Sequence, residues 1–281
     1  MTGIRQTGRY ARALGASLLL AAGCSDAAGP ERQSPVVRVV YLVPANRGED
    51  LSYATGMANA MRHLQRWYFD ALATGGTFTL TDPVVSVHRS SHTADWYATT
   101  PNGDPVRAFF NNVADDGLAI VGGRANDPAT VWVFFVDADH ACGQAGAAGT
   151  SGIAVFTASY LRRFVGRATA AACVDDPIAS CPAVGAVGHE LGHAFGLHHP
   201  AACEAGTAGC PTNALLWLGY TTYPQAALTT EDKTALGASA FFRMTSPSPA
   251  AFGCSNLLAP AIGAGLGRAF ALATPLPAPA C

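Results

Sequence analysis

Four histidines and one glutamate lie between positions 189 and 199, at spacings that suit metal chemistry. His189 and His193 are four residues apart, and Glu190 directly follows the first of them. On a helix, residues i and i+4 share one face, so both imidazoles can reach a single metal ion. Glu190 then lies beside the metal without being a ligand, where its carboxylate can accept a proton from water. The spacing predicts a zinc site with an adjacent general base.

The residues after His193 extend this pattern with a glycine and a further histidine. Gly196 and His199 complete the sequence His-Glu-x-x-His-x-x-Gly-x-x-His. A glycine at position 196 can adopt a positive φ angle, which ends the helix and turns the chain under the metal. His199 is then delivered as a third ligand, with the neighbouring His198 as the competing candidate. Pro200 prevents a return to helix.

The complete pattern resembles the motif of the metzincin clan of zinc endopeptidases. The spacing within the clan selects His199 as the third ligand, so the resemblance implies one zinc ion held by His189, His193 and His199. It also implies that Glu190 is the general base and acid, which takes a proton from a zinc-activated water and passes it to the leaving amine. The expected substrate is a protein or peptide.

Hydrophobic patterns predict the elements that must position this site. Strands are expected at residues 36–43, 77–80, 84–88, 131–137 and 153–157, and helices at 50–72, 105–113 and 231–241. This alternation indicates an α/β (α+β) fold with a mixed twisted sheet. The metzincin resemblance implies the same order: a sheet, the active-site helix, and then a smaller irregular subdomain. We expect a catalytic domain at 36–245, divided into two lobes near residue 199, and a Pro/Ala-rich tail at 246–281.

The resemblance carries two further expectations about the site. Metzincins bind substrate in extended form along an edge strand of the sheet, and residues 152–157 are the candidate edge. They also carry a methionine in a turn beneath the zinc, whereas this sequence has Leu216 at that place and Met244 as the only later methionine. Leucine conserves the volume of methionine, so we expect Leu216 to form the hydrophobic floor. Tyr220 and Tyr223 are candidates for assisting the transition state.

The N-terminal residues predict export. Three arginines precede a short apolar run that ends at Cys24, a pattern typical of a secretory signal. The residues before Cys24 resemble a bacterial lipoprotein signal, which implies a signal peptide at 1–23 and a lipidated tether at 24–35. We therefore expect the cell envelope, with membrane attachment only through a lipid on Cys24. Ordinary secretion is the alternative.

Export implies an oxidising compartment, in which disulfides persist. Seven cysteines follow Cys24, so at least one of them has no partner among the others. Short spacings favour two local pairs and a third that holds the tail, leaving one cysteine alone: Cys173–Cys181, Cys203–Cys210, Cys254–Cys281, and Cys142 unpaired.

A second polar cluster precedes a glycine-rich loop. Asp137, Asp139 and His140 could hold Ca²⁺ or a structural zinc, although a plain turn is the simpler interpretation. The other histidines outside the motif, His63, His88 and His92, are not expected to be ligands.

Composition and charge exclude other classes of protein. The formal charge of −2 gives no basic surface for nucleic acid, and no run of about 20 apolar residues predicts a membrane span. We expect a monomer.

The main alternative to a peptidase is a non-catalytic zinc-binding surface lipoprotein that acts as a scaffold. Glu190 argues against this alternative, because a structural zinc site has a closed fourth position and needs no base. A zinc amidase acting on cell-wall peptide is a further alternative, but no wall-binding module accompanies the motif.

Overall fold

Five β-strands form a mixed sheet in the computed structural model, which describes residues 34–167, 171–174, 176–177, 179–247 and 253–258. The strands are β1 (Val36–Val43), β2 (Leu80–Arg89), β3 (Thr130–Val136), β4 (Ala147–Thr150) and β5 (Ile153–Phe156). Their order across the sheet is β2-β1-β3-β5-β4, and every neighbouring pair is parallel except β5 and β4. The predicted α/β class with a mixed sheet is confirmed.

Helices cover both faces of this sheet. They are α1 (Leu51–Leu72), α2 (Ala94–Thr99), α3 (Ala108–Val121), α4 (Ala158–Phe164), α5 (Ser180–Ala194), α6 (Ala201–Glu204) and α7 (Thr230–Ala238). A 3₁₀ helix occupies Gly219–Thr222. After α5, the described residues contain short helices and no strand. None of the helices in the described ranges combines the length and the apolar character that crossing a membrane requires.

The central strands alternate their side chains between two hydrophobic cores. Tyr41 and Phe135 lie on the face covered by α1 and α5, whereas Leu42 and Phe134 lie on the face covered by α3. All seven residues of β3 are buried because helices pack on both of its faces. This explains why its sequence is a continuous run of β-branched and aromatic residues rather than an alternating one.

Helix α1 follows the predicted limits closely. The carboxylate of Asp50 accepts a hydrogen bond from the backbone N–H of Ser52 and caps the first turn. The helix ends at Leu72, as predicted, and the residue after it, Ala73, has a φ of 55° and caps the C-terminus.

Several other elements differ from the prediction in their extent. Residues 77–80 and 84–88 are not two strands, because β2 runs continuously through the cis peptide bond before Pro83. Thr77 instead pairs with Met244. The helix expected at 105–113 is α3, which begins three residues later because Asp104 forms a turn with Val106, and which ends eight residues later, at Val121. Helix α7 ends at Ala238, three residues earlier than predicted.

The candidate substrate-binding edge was assigned to the wrong strand. Residues 152–157 correspond to β5, which lies inside the sheet between β3 and β4. The edge is β4, within the part of the chain predicted to be a glycine-rich loop. It pairs antiparallel with β5 across a tight turn at Gly152. The short sequence Ala-Ala-Gly-Thr has little intrinsic strand preference, so pairing with β5 rather than local propensity makes it a strand.

Three disulfides, one local and two between residues far apart in sequence, lie within the described residues. They are Cys142–Cys173, Cys181–Cys254 and Cys203–Cys210. The predicted Cys203–Cys210 pair is confirmed. The predicted Cys173–Cys181 and Cys254–Cys281 pairs and the unpaired Cys142 are wrong, because the fold brings cysteines 31 and 73 residues apart together in space. Cys24, Cys281, residues 1–23 predicted to be a signal peptide, and most of the predicted tail lie outside the described residues.

Candidate metal centre

The three histidines of the motif converge on one point. His189 and His193 project from the same face of α5, and His199 approaches from the loop that follows it. Their Nε2 atoms lie 3.1 Å (His193 to His189), 3.1 Å (His193 to His199) and 3.2 Å (His199 to His189) apart. No other group of three His, Cys, Asp or Glu side chains within the described ranges brings its ligand atoms together in this way.

This arrangement fits zinc in its chemistry and its size. The Nδ1 atom of His189 lies 2.7 Å from the carbonyl oxygen of Leu215, and that of His193 lies 2.9 Å from the carbonyl oxygen of Leu197. A carbonyl only accepts hydrogen bonds, so each Nδ1 carries the proton and each Nε2 presents a lone pair to the common point. Tetrahedral zinc with Zn–N bonds of about 2.0–2.1 Å separates its ligands by roughly 3.3 Å, close to the observed spacing.

Gly196 turns the chain as the sequence predicts. Its φ of 90° ends the helix and reverses the chain direction two residues after α5. The backbone N–H of Leu197 then donates to the carbonyl of Gly192, which holds the loop against the helix. As a result, His199 reaches the other two imidazoles, whereas its neighbour His198 is exposed and does not.

Burial keeps the imidazoles on α5 neutral. Loss of solvent lowers the pKa of His189 to about 4, with a further contribution from the nearby His193. Burial also lowers the pKa of His193. A metal competes with protons for Nε2, so the lowered pKa values favour the neutral form of both imidazoles, which is the form that could bind a metal, at neutral pH.

Glu190 lies on α5 next to this triad, beneath the edge strand β4. Burial raises the pKa of its carboxyl group to about 7, while the backbone N–H of Gly149 and the charge of Arg107 act in the opposite direction. A carboxyl group that titrates near neutral pH can both accept and return a proton.

The strand above Glu190 approaches α5 very closely. A Cβ atom at Gly149 would lie 2.9 Å from the backbone carbon of Glu190 and would overlap its carbonyl oxygen. Only glycine permits this contact between β4 and α5. The absence of a side chain at position 149 therefore sets the distance between the edge strand and the candidate base.

A small cavity of about 260 Å³ opens beside the triad and Glu190. Its other walls come from β4, α4, α5 and the 3₁₀ helix, through Ala147, Tyr160, Ala186 and Tyr220. Of the two candidate tyrosines, Tyr220 lies at the site, with its ring centroid 5.3 Å from that of His189. Tyr223 is buried behind it, against Trp67 and His63.

Leu216 packs against helix α5, in the position expected for the hydrophobic floor. It is fully buried, and a Cβ atom at Gly192 would lie 3.0 Å from its Cδ2 atom. The preceding residue, Leu215, supplies the carbonyl oxygen that orients His189. The segment after the motif thus contributes both an apolar support and a hydrogen-bond acceptor.

The polar cluster at 137–140 does not form a second site of this kind in the described part of the chain. Asp139 forms an ion pair with Arg162 of α4. His140 is buried, with its ring centroid 6.2 Å from that of Phe109. Asp139 and His140 are thus used in separate contacts that attach the loop after β3 to its neighbours.

Sequence patterns missed Tyr160 and Ala147 as parts of the site. Tyr160 lies in α4, for which the chain does carry a signal, because Thr157 is a favourable N-cap residue before an apolar and basic run. Ala147 begins β4 and reaches the cavity only because β4 forms the edge of the sheet. No local pattern could have indicated that position.

No protein-family model and no curated protein sequence matches this chain. Among solved structures it is similar to wild-type OgpA from Akkermansia muciniphila, with a TM-score of 0.49 and 17% identity over 83% of this chain and 68% of that one. Catalytically inactive OgpA in complex with an O-glycopeptide substrate, glycodrosocin, gives a TM-score of 0.50 and 15% identity over 80% and 65% of the two chains. Metalloproteinase-II from Bacteroides fragilis gives a TM-score of 0.37 and 15% identity over 74% of this chain and 54% of that one.

The chain therefore spans about two thirds of the length of OgpA. At these identities, the similarity to OgpA is one of fold.

Proposed function

We propose that this protein is a zinc-dependent endopeptidase of the metzincin type. The observation that carries this proposal is the convergence of three imidazole Nε2 atoms beside a cavity that is also lined by a carboxyl group, that of Glu190. A purely structural zinc site would need a fourth protein ligand and no such carboxyl group. The shared fold with OgpA supports the same class of reaction.

In this proposal His189, His193 and His199 hold the zinc ion. When bound, zinc supplies a Lewis acid that activates water and polarises the scissile carbonyl. The carboxylate of Glu190 accepts a proton from the attacking water and delivers it to the leaving amine nitrogen. Helix α5 keeps Glu190 and two of the ligands in fixed relative positions, because all three belong to one rigid element.

The substrate in this proposal is an extended peptide that pairs with β4. This strand has no neighbour on its outer side among the described residues, so its backbone groups can bond to a further strand. The cavity lined by Ala147, Tyr160, Ala186 and Tyr220 would receive one substrate side chain beside the scissile bond. Its small volume favours a small or medium side chain.

Cleavage of a defined peptide mixture by the zinc-loaded protein tests this function. The mixture should contain unmodified peptides, O-glycosylated peptides and cell-wall peptides, because the OgpA structure holds an O-glycopeptide. Products are identified by mass spectrometry. We expect the wild-type protein and the Glu231→Ala control to cleave, and Glu190→Ala to bind zinc without cleaving. A wild-type protein that binds zinc but cleaves none of these substrates would favour the non-catalytic scaffold.

We also propose that the catalytic domain, residues 36–245, is exported and attached to the bacterial membrane through a lipid on Cys24. Three disulfides among the described residues support an oxidising compartment. Labelled palmitate should enter the wild-type protein in a lipoprotein-competent host and should not enter Cys24→Ser. Absence of label from both would leave ordinary secretion as the explanation.

A further inference from the structure

The three imidazoles of the triad differ in what holds their second nitrogen. The Nδ1 atoms of His189 and His193 face backbone carbonyl oxygens, which are neutral acceptors. The Nδ1 atom of His199 instead lies 3.5 Å from the Oε1 atom of Glu204. His199 is thus the one member of the triad with a side-chain carboxylate at this position.

The chain after His199 brings Glu204 back toward it. Pro200 does not prevent a return to helix, because the single turn of α6 follows it directly. The backbone N–H of Glu204 donates to the carbonyl of Pro200 at 3.2 Å. The adjacent Cys203 is buried and joined to Cys210. The backbone of Glu204 is therefore held by a helical turn and by a neighbouring disulfide, while its side chain returns to a residue five positions earlier.

His199 also needs such support more than the other two histidines do. His189 and His193 belong to the 15-residue helix α5, whereas His199 lies on a loop with 35% of its side chain exposed. On its other flank the ring meets Trp217 edge-on, with the centroids 5.5 Å apart. Glu204 and Trp217 together restrict the rotation of this imidazole.

We propose that Glu204 is a positioning residue for the third metal ligand, an inference that rests on the metal site of the proposed function. Its carboxylate faces Nδ1 of His199 from 3.5 Å, which favours the tautomer with the proton on Nδ1 and a lone pair on Nε2 and so directs Nε2 at the common point. A carboxylate also makes the imidazole a stronger ligand than a carbonyl would. Glu204 is not among the converging ligand groups or the residues that line the small cavity, so in this role it acts through His199.

Zinc affinity measures this role without reference to peptide cleavage. The metal-free protein is titrated with Zn²⁺ in competition with a chromophoric chelator. Loss of such a carboxylate costs about 10- to 100-fold in metal affinity, and Glu204 is 62% exposed, so we expect a loss of about tenfold for Glu204→Ala. Glu204→Gln keeps an acceptor without its charge, and we expect a loss of about threefold.

Glu231→Ala is the matched control for charge. Glu231 lines a large cavity that also includes His199, but it is neither a member of the triad nor part of the smaller cavity beside Glu190. Removal of its charge should change zinc affinity by less than about twofold. An equal loss in Glu204→Ala and Glu231→Ala would mean that negative charge merely attracts the cation, and it would refute the positioning role.

A spectroscopic measurement separates positioning from general stability. Co²⁺ replaces Zn²⁺, and its visible absorption reports the arrangement of the ligands. We expect Glu204→Ala to change this spectrum while the metal-free variant unfolds at the wild-type temperature. Wild-type affinity and spectrum in both Glu204 variants would overturn the inference and leave the proposed peptidase intact. A wild-type protein that binds zinc but cleaves nothing would overturn the proposed peptidase and leave the role of Glu204 intact. A wild-type protein that binds no zinc would refute both the peptidase and the role of Glu204.

Discussion

Gly149 offers a direct test of the contact between the edge strand β4 and helix α5. In Gly149→Ala the new methyl group would lie 2.9 Å from the backbone carbon and 3.0 Å from the Cα atom of Glu190, in addition to its overlap with the carbonyl oxygen. The obstacle is helical backbone, which cannot rotate aside as a side chain can. Strand β4 must therefore move away from α5.

The size of the effect follows from this displacement. Forcing one extra carbon into a close-packed contact costs about 1–3 kcal/mol, which corresponds to a fall of roughly 2–10 °C in the unfolding temperature for a domain of this size. Normal van der Waals separation requires a shift on the order of 1 Å. A displacement of that size near reacting groups can reduce turnover by about 100-fold. The triad lies outside the contact, so zinc affinity should stay near the wild-type value.

Thermal unfolding, zinc titration and peptide cleavage are measured on Gly149→Ala and on Gly209→Ala. Gly209 has no atom within 4 Å of a Cβ position and serves as the control for the glycine-to-alanine change itself. We expect only the variant at 149 to lose stability and cleavage. Equal stability and equal cleavage in the two variants would refute the close approach of β4 to Glu190 and the edge-strand role based on it.

Three further predictions concern stability. Asp50→Ala should cost about 1 kcal/mol at pH 7 through loss of the α1 cap. Hydrogen bonds from Ser52 and Arg167 hold the pKa of Asp50 below its usual value despite partial burial. The contribution of Asp50 to stability is therefore present above about pH 4 and is lost as the pH falls further. Urea unfolding should show a smaller difference in stability between Asp50→Ala and wild type at pH 3 than at pH 7. Treatment with a chelator should lower the unfolding temperature, and zinc at about 100 times its Kd should restore roughly 2.7 kcal/mol of stability. An unfolding temperature that does not shift in calorimetry would argue against a folded metal site. Replacing Cys181 and Cys254 by serine should lower the free energy of unfolding by about 4 kcal/mol, because this disulfide closes a loop of 73 residues. The same change at Cys203 and Cys210, which close a loop of 7 residues, should cost about 2.5 kcal/mol. Denaturant unfolding that ranks the two losses in the opposite order would contradict the loop-entropy argument.

The elements that sequence patterns predict well are those whose own residues determine them. Strands β1 and β3 are long apolar runs, and α1 has a capping residue and a sustained helical period, so their limits are correct to within a residue or so. Strand β4 has no such pattern. It is a strand because β5 pairs with it, and sequence alone does not show that pairing.

The site divides in the same way. The spacing of His189, His193 and His199 is a local property, and the structure brings these three residues together. Tyr160 and Glu204 reach the site through the packing of α4 and the turn of α6, respectively. The disulfide between Cys142 and Cys173 likewise depends on how the loop before β4 meets the segment after α4.

The disulfide between Cys181 and Cys254 has a consequence for how the protein would respond to limited proteolysis. It closes a covalent ring that contains nearly all of α5, the loop with His199, the Leu215–Leu216 floor and α7. A single cut anywhere in this ring leaves the two resulting pieces linked. Such a nicked protein would migrate as one chain on a non-reducing gel and separate only after reduction. The ring would thus keep the pieces that carry the three histidines joined after backbone cleavage.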